Sequence, residues 1–183
     1  MRNAAGATTR LLQLSDVAEL TALVQRNRTF LAPWEPARGA EHFSGEHQRQ
    51  LVRTALAAYT AGSMVPLLIL GPEGAVAGRL NINGIVRGAF QSGVLGYWVG
   101  QEYNGAGLAS AAVAEAAARA AQMGLHRLQA ETLVHNARSQ RVLEKNGFVQ
   151  YGLAPQYLKI AGRWQDHRLF QKILDPGHRQ AMP

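Results

Sequence analysis

The sequence predicts a single α/β (α+β) domain, built on a mixed and mostly antiparallel sheet of about seven strands flanked by about four helices. Three observations support this prediction. The chain has 183 residues, which suits one domain, and 47% of them are hydrophobic, which is enough for a full core. Short apolar runs also alternate along the chain with stretches of helical spacing. We therefore expect one domain over residues 1–183, with a core from about residue 10 to residue 174.

The first third of the chain predicts one strand and two helices. A short strand covers residues 10–14, and Ser15 follows it as a suitable N-cap for the first helix. Apolar residues recur in that helix at helical spacing: Val17, Leu20, Leu23 and Val24. The prolines of the segment 33–36 are expected to end it, and a second helix is expected over residues 45–59.

The rest of the chain predicts further strands and two more helices. An Ala-rich helix over residues 108–123 is stopped by Gly124, and a short helix over residues 137–145 lies between Asn136 and Gly147. The apolar and β-branched runs expected to form strands are 65–70, 76–85, 94–99, 127–134, 148–151, 157–160 and 164–173.

Composition excludes several classes of protein. The chain has no cysteine, so disulfides and cysteine-based zinc sites are excluded, and its six histidines lack metal-ligand spacing, so we expect no metal. No apolar run approaches the roughly 20 residues of a membrane span, and the first residues do not resemble a signal peptide, so we expect a cytoplasmic protein without a membrane partner. The net charge of +7 is spread along the chain and suits a solvated surface, phosphate binding or RNA contact, although no RNA-binding motif is present.

The most informative segment joins the strand that ends at Val99 to the Ala-rich helix. The turn between them contains Gly105 and Gly107 and opens directly onto the helix. Successive backbone N–H groups in such a turn can face one point, and the helix N-terminus adds positive potential there, so the segment is suited to bind a pyrophosphate. No Gly-Lys-Ser/Thr sequence or full dinucleotide fingerprint is present. The alternative is an ordinary tight turn.

A second segment surrounds the short helix over residues 137–145. Asn136 fits its N-cap, and Gly147 fits the left-handed residue that follows its end. Alone, this describes a well-capped helix. Its position about 30 residues after the glycine turn, with one strand between them, favours a common function for the two segments.

Both segments resemble signature motifs of the GNAT acetyltransferases. Asn104-x-x-Gly107-x-Ala109 is similar to the family's Gln/Arg-x-x-Gly-x-Gly/Ala, with Asn104 in place of the usual Gln or Arg, and residues 136–148 resemble its Asn-x-x-Ser/Ala motif that ends in Gly-Phe. Three further stretches are similar to the RimJ/RimL branch, above all to the alanine-specific RimJ type: Trp34-Glu35-Pro36, Val86-Arg87-Gly88 and Trp164-Gln165-Asp166-His167. The similarity spans about residues 10–172.

The resemblance implies an N-acetyltransferase with a V-shaped splay between its fourth and fifth strands. It would transfer an acetyl group from acetyl-CoA to the N-terminal α-amine of a protein, by direct attack in a ternary complex. The implied cofactor-binding residues are Tyr97, Trp98, Val99, Asn104, Gly105, Ala106, Gly107, Leu108, Ala109, Asn136 and Ser139. The implied acceptor-binding residues are Trp34, Glu35, Trp164 and Asp166.

Candidate catalytic residues are Ser139, Asn136 and Glu35. Many members of the family carry a tyrosine acid seven residues after the motif's Asn, but here that position is Leu143. Ser139 is therefore the local candidate for protonating the leaving thiolate, with Asn136 positioning the helix. Glu35 lies in the segment expected to overhang the acceptor, so it is the carboxylate expected to accept the amine's proton through water.

The acceptor stays open at the sequence level. A protein N-terminus, on a ribosomal protein for example, is favoured because an α-amine at pH 7 loses only about 1–1.4 kcal/mol to protonation, against roughly 4.6 kcal/mol for a lysine. One alternative is a small-molecule acetyltransferase acting on a polyamine, an amino acid or an antibiotic; the basic charge disfavours the polyamine. Another is a non-enzymatic acyl-CoA-binding or RNA-binding module. A homodimer is compatible with the sequence.

Overall fold

Seven strands form one mixed sheet in the computed structural model, which describes residues 8–174. The strands are β1 Thr9–Leu11, β2 Val65–Leu70, β3 Val76–Val86, β4 Ser92–Val99, β5 Arg127–Leu133, β6 Val149–Ile160 and β7 Arg163–Ile173. The helices are α1 Val17–Arg26, α2 Arg28–Leu31, α3 Gly45–Thr60, α4 Leu108–Gln122 and α5 Ala137–Lys145. The strand order is β1-β2-β3-β4-β5-β7-β6. Among the described residues, no helix is long and apolar enough to cross a membrane.

Helices cover the two faces of the sheet and bury a separate core on each. On one face, α4 and α5 pack against a core that includes Leu80, Leu128 and Phe170. On the other face, α1 and α3 pack over Leu68 and Val76. Neighbouring residues of a strand point to opposite faces, so alternation divides the strand positions between the two cores. The register between β2 and β3 shifts at Ile69 and Leu70, and Val76 therefore lies on the opposite face from Leu80.

The sheet opens between β4 and β5. These two strands are the parallel pair of the sheet, and they pair only from Ser92 to Val94 on β4 and from Arg127 to Gln129 on β5. Beyond Val94, β4 remains paired with β3 on its other side as far as Val99. The C-terminal halves of β4 and β5 therefore diverge, which confirms the predicted fold class and its V-shaped splay.

The start of the first helix differs from the prediction. Ser15 lies inside a 3₁₀ turn over Leu14–Asp16, and Asp16 holds that turn in place. Its carboxylate accepts hydrogen bonds from the Gln13 N–H at 2.7 Å and from the Arg10 guanidinium at 2.8 Å. The prediction of Ser15 as N-cap was wrong because a carboxylate that also pairs with β1 is a stronger partner than an isolated hydroxyl.

The first helix also ends earlier than expected. It stops at Arg26, and the short α2 follows before the prolines are reached. The buried Asn27 causes the break, since its side chain donates to the Leu23 carbonyl at 3.0 Å and accepts from the Gln101 N–H at 2.7 Å. Asn27 thereby ties α1 to the loop that follows β4.

Two strands predicted near the C-terminus, 148–151 and 157–160, are one long strand, β6. The register against β7 shifts between Ala154 and Leu158, and Gln156 has a φ of 47°. The Asp166 carboxylate accepts the Gln156 N–H at 2.8 Å and so braces this bulge. The polar and proline-containing residues between the two predicted strands are therefore an irregularity in one strand.

Candidate functional site

The open edge of β4 carries backbone groups that pair with no strand in residues 8–174. Gly100 donates its N–H to the Ala77 carbonyl at 2.8 Å, and Val99 lies opposite Gly78 in the register. In an antiparallel ladder this makes the Val99–Gly78 pair non-hydrogen-bonded, so the N–H and C=O of Val99 point away from β3. The same holds for Tyr97, two residues earlier. These polar groups face the splay and are available to a ligand.

The glycine turn follows this edge. Gly105 and Gly107 have φ values of 83° and 80°, which favour glycine, and an added Cβ would meet no protein atom within 4 Å at either position. Gly107 is the N-cap of α4, so the first free N–H groups of a 15-residue helix open at this point. The turn borders a groove of about 510 Å³. Both the helix end and the empty space suit an anion.

The helix α5 forms the opposite wall of this groove. Arg138, Arg141 and Lys145 recur there at intervals of three and four residues and line the groove together. These basic side chains were not among the predicted site residues, although their helical spacing could have revealed them. They add positive charge to the side that faces the glycine turn.

Ser139 and Tyr97 meet across the splay. Their hydroxyl oxygens are 2.9 Å apart, and the Tyr97 hydroxyl also lies 3.3 Å from the Ser139 carbonyl oxygen, to which it can donate. Burial raises the pKa of Tyr97 to about 12, against the opposing influence of Ser139, so the phenol stays protonated near neutral pH. Asn136 caps α5, because its side-chain oxygen accepts the Ser139 N–H at 3.1 Å.

A second, larger groove of about 620 Å³ runs along the splay and continues into the first. The predicted site residues that line this second groove are Trp34, Tyr97, Trp98, Val99, Asn104, Ala109, Asn136 and Ser139. Those that line only the first are Gly105, Gly107 and Leu108. The remaining four, Ala106, Glu35, Trp164 and Asp166, do not line either groove.

The segment after α2 covers one end of the larger groove. The Trp34 ring lies 5.6 Å from the ring of His135, which also lines the groove. Next to it, the Glu35 carbonyl accepts the Ala161 N–H at 2.9 Å and so joins this segment to the turn between β6 and β7. Burial raises the pKa of the Glu35 carboxyl, with the charge of Arg38 acting against it. Trp164 is 60% exposed beyond that turn.

Glu131 is a further candidate that the sequence analysis did not single out. It lies on β5 just beyond the last residue paired with β4, and its neighbours Leu128 and Ala130 belong to the core under α4. Alternation therefore places its side chain on the other face, beside the splay. Burial raises the pKa of Glu131, against the influence of its own backbone N–H and of the Tyr157 hydroxyl. Strand alternation in residues 127–133 was the signal that could have identified it.

The cluster near Glu131 is polar but does not resemble a metal centre. Within residues 8–174, no group of three or more His, Asp or Glu side chains is placed to hold a metal ion. His167 is buried and its Nδ1 lies 2.9 Å from the Gln165 carbonyl, while its ring lies 5.6 Å from that of Tyr157 at a tilt of 56°. The arrangement suits proton transfer and hydrogen bonding.

Comparison with known proteins agrees with this geometry. Residues 8–149 match the family described as the acetyltransferase (GNAT) domain. The chain is 35% identical over 163 residues to the [ribosomal protein uS5]-alanine N-acetyltransferase of Escherichia coli K12, covering 87% of this chain and 84% of that protein.

Solved structures show the same relationship. The ribosomal-protein-S5-alanine acetyltransferase of Vibrio fischeri has a TM-score of 0.87 and 32% identity, covering 92% of this chain and 93% of that one. RimJ of Mycobacterium smegmatis, solved in complex with CoA-disulfide, has a TM-score of 0.86 and 30% identity, covering 90% of this chain and 80% of that one. The chain belongs to the GNAT family of acetyltransferases, and within it to the RimJ/RimL type of N-acetyltransferase.

Proposed function

We propose that this enzyme transfers an acetyl group from acetyl-CoA to the N-terminal α-amine of a protein, and that a ribosomal protein is its acceptor in the cytoplasm. The observation that carries the proposal is the open edge of β4, with its free backbone groups at Tyr97 and Val99, leading into the glycine turn at the start of α4. The names of the relatives, which act on ribosomal protein S5, support the choice of acceptor. One acetyltransferase domain accounts for all of these features.

Acetyl-CoA is expected to follow the two connected grooves. Its pyrophosphate would lie on the N–H groups of the turn and first helical residues, 105–109, with the basic wall of α5 opposite. Its pantetheine arm would extend β4 like an added strand, using the free N–H and C=O groups of Tyr97 and Val99. The side-chain nitrogen of Asn136 makes no hydrogen bond to the described residues and lines the groove, so it can donate to the same arm.

The reaction follows from this placement as a direct transfer. The neutral amine attacks the thioester carbonyl, the C–N bond forms, and the C–S bond breaks as the thiolate leaves. The chain has no cysteine that could carry the acetyl group as a thioester. The N–H of Val99 is the donor expected to stabilise the oxyanion, a contribution of about 2.7–4 kcal/mol in other enzymes.

Two proton transfers complete the reaction. Ser139 can pass its proton to the thiolate when the Tyr97 hydroxyl, 2.9 Å away, donates to the Ser139 hydroxyl and not to the Ser139 carbonyl. Tyr97 then gives its own proton to Ser139 and regains one from water in the open groove, so that both hydroxyls end the reaction protonated. On the amine side, Glu131 and Glu35 are both carboxylates whose pKa is raised by burial. Glu131 lies beside the splay itself, so we favour it over Glu35 as the group that takes the proton of the amine, directly or through water.

A peptide assay tests the proposal. The purified enzyme is given acetyl-CoA and peptides that begin with Ala or Ser and contain an internal lysine, and free thiol release is followed with mass analysis of the product. We expect one acetyl group on the α-amine. The matched control is the same peptide with a blocked N-terminus, which should not react. Acetylation of the blocked peptide on lysine, or turnover of polyamines in preference to peptides, would contradict the proposal.

A further inference from the structure

Arg79 occupies an unusual place on β3, behind one wall of the larger groove. It lies opposite Leu68 on β2 and opposite Trp98 on β4, and Trp98 lines the groove. Because residues opposite each other in a ladder share a face, Arg79 points to the side of α1 and α3. Its neighbour Leu80 points into the core under α4. Arg79 therefore lies on the face away from the glycine turn's helix.

The guanidinium of Arg79 has no anionic partner in the described part of the chain. Within residues 8–174 it makes no salt bridge and no side-chain hydrogen bond, and its Nε is buried without any partner. Burial lowers the pKa of Arg79, and no nearby acid opposes this effect. Arg79 as a whole is half-buried, but its Nε has lost the hydrogen bond that it would make in water, and an anion that binds the guanidinium could restore that bond.

Space and further polar groups lie next to this side chain. Asn81, two residues along the same face, has a buried Oδ1 that also lacks a partner. Gly96 stands opposite Asn81, and a Cβ added there would meet only the Asn83 side chain, at 3.6 Å. Arg79, Asn81, Gly96 and Trp98 thus form a polar recess in the floor of the sheet, which we call the Arg79 recess. It offers a cation and an acceptor for an N–H group.

The anion that fits this recess comes from the acceptor. The phosphates of acetyl-CoA have their own basic wall on α5, and the recess lies on the opposite face of the sheet from α4. Glu131 lies on β5, across the splay from β4, on the same face of the sheet as the recess. A ligand that spans the two would bring its amine to Glu131 and a negative group to Arg79. The free Oδ1 of Asn81 suits a peptide N–H of the same ligand.

We propose that Arg79 binds a carboxylate of the acceptor, so that this enzyme prefers acceptors with an acidic group close to the reacting amine. The inference rests on the proposed function and adds a substrate feature to it. The carboxylate can be an acidic side chain in the first residues of a protein or the free carboxylate of an amino acid. The unpartnered Asn81 oxygen favours the protein source.

Matched acceptors test this inference on the wild-type enzyme. Peptides that begin with Ala carry a single Glu at position 2, 3 or 4, and each is compared with its Gln counterpart; free alanine is compared with alaninamide. A charge-assisted contact predicts a kcat/KM about 10- to 100-fold higher for Glu at one position, mainly through KM. If alanine is preferred over alaninamide and no peptide pair shows a preference, the carboxylate that Arg79 binds is the free carboxylate of an amino acid. Equal values within every pair would overturn the inference.

Variants then assign the effect to Arg79. Arg79→Gln should bring the Glu-to-Gln ratio close to one, while the Kd for acetyl-CoA and the activity on the Gln peptides change little. Arg53→Gln is the control, because it removes an equal charge from an exposed position on α3 and should keep the wild-type ratio. A wild-type ratio in Arg79→Gln would refute the assignment. If Arg79→Gln fails to fold, Arg79→Lys takes its place, and the Glu-to-Gln ratio of the wild-type enzyme still tests the preference itself.

Equal turnover of Glu and Gln peptides would leave the proposed function intact and remove only the role of Arg79. Absence of turnover with every peptide would instead overturn the proposed function. The two failures are therefore distinguishable in one set of assays.

Discussion

The glycine turn allows the loss of a ligand contact to be separated from the cost of backbone strain. Gly107 has a φ of 80° and no protein atom within 4 Å of an added Cβ. Gly62, at the end of α3, has a φ of 73° and equally open surroundings. An alanine at either position strains the backbone without a clash. Only the Cβ at Gly107 would project into the groove where we place the pyrophosphate.

The magnitudes follow from this difference. A left-handed backbone costs a residue with a Cβ about 1–2 kcal/mol, so both variants should lose stability to a similar extent. For a chain of this length, that corresponds to a fall in Tm of roughly 2–8 °C. Loss of one charge-assisted hydrogen bond to the phosphate costs a further 1.5–3 kcal/mol or so, which raises the Kd for acetyl-CoA roughly 10- to 100-fold in Gly107→Ala alone.

Calorimetric titration of acetyl-CoA and thermal unfolding of the free enzymes measure the two quantities separately. We expect Gly62→Ala to bind acetyl-CoA as the wild type does, while its Tm falls together with that of Gly107→Ala. The placement of the pyrophosphate would be refuted if both variants bound acetyl-CoA equally well. It would also be refuted if they lost affinity equally, because strain alone would then account for the effect.

Three more predictions concern single side chains. Ser139→Ala should lower kcat several-fold with an unchanged Kd for acetyl-CoA. Adding Tyr97→Phe should have little further effect, because the two hydroxyls form a single proton-transfer path. Additive losses in the steady-state kinetics of the single and double variants would contradict this. Glu131→Gln should lower kcat/KM. The wild type should lose activity as pH falls through the raised pKa of the Glu131 carboxyl, and the variant should lack that loss. A variant with the pH profile of the wild type would exclude Glu131 as the base. Asp16→Asn should cost about 1–3 kcal/mol of stability at neutral pH. Burial acts to raise the Asp16 pKa, but the hydrogen bonds from Arg10 and Gln13 outweigh it and lower the pKa, so the wild type's advantage is present above the unfolded pKa and disappears as pH falls through the folded one. Denaturant unfolding over a pH series should show the full difference at pH 7 and a shrinking difference as pH falls below about 4, and a difference independent of pH would contradict this reasoning.

Local signals explain which parts of the fold could be predicted from the sequence. The run that forms β2 is apolar and bounded by turn residues, β5 alternates apolar and polar residues, and α4 is followed by Gly124 as expected. The glycine turn was predictable because Gly105 and Gly107 adopt a backbone conformation that other residues avoid. Asn136 was predictable as a cap because its partner, the Ser139 N–H, lies three residues away. In each case the residues that determine the structure are close in sequence.

The features that the sequence did not reveal depend on distant partners. Asn27 ends α1 because it bonds to Gln101, 74 positions along the chain. The Asp166 carboxylate accepts the Gln156 N–H in the β6 bulge, ten residues away, and neither Asp166 nor Trp164 lines the two grooves, so their predicted contact with the acceptor stays a prediction. Arg79 was not a predicted site residue, because an arginine in a strand is ordinarily solvated. Arg79 lacks a partner among the described residues because of the side chains that β2, β3 and β4 place around it, and β2 and β4 are separate segments of the sequence.

The period of two along β4 supports our proposal that the two substrates bind on opposite faces of the sheet. Tyr97 points to the α5 side, where its hydroxyl meets Ser139 and where we place the thioester sulfur. Trp98, the next residue, points to the face that carries Arg79. The backbone between them is free because β5 has diverged. In the proposed complex, acetyl-CoA and the acceptor therefore approach the same few residues from opposite sides, and the splay is where the amine can reach the thioester. This explains why the open edge of a single strand can orient both reactants while the cores on either side of the sheet remain intact.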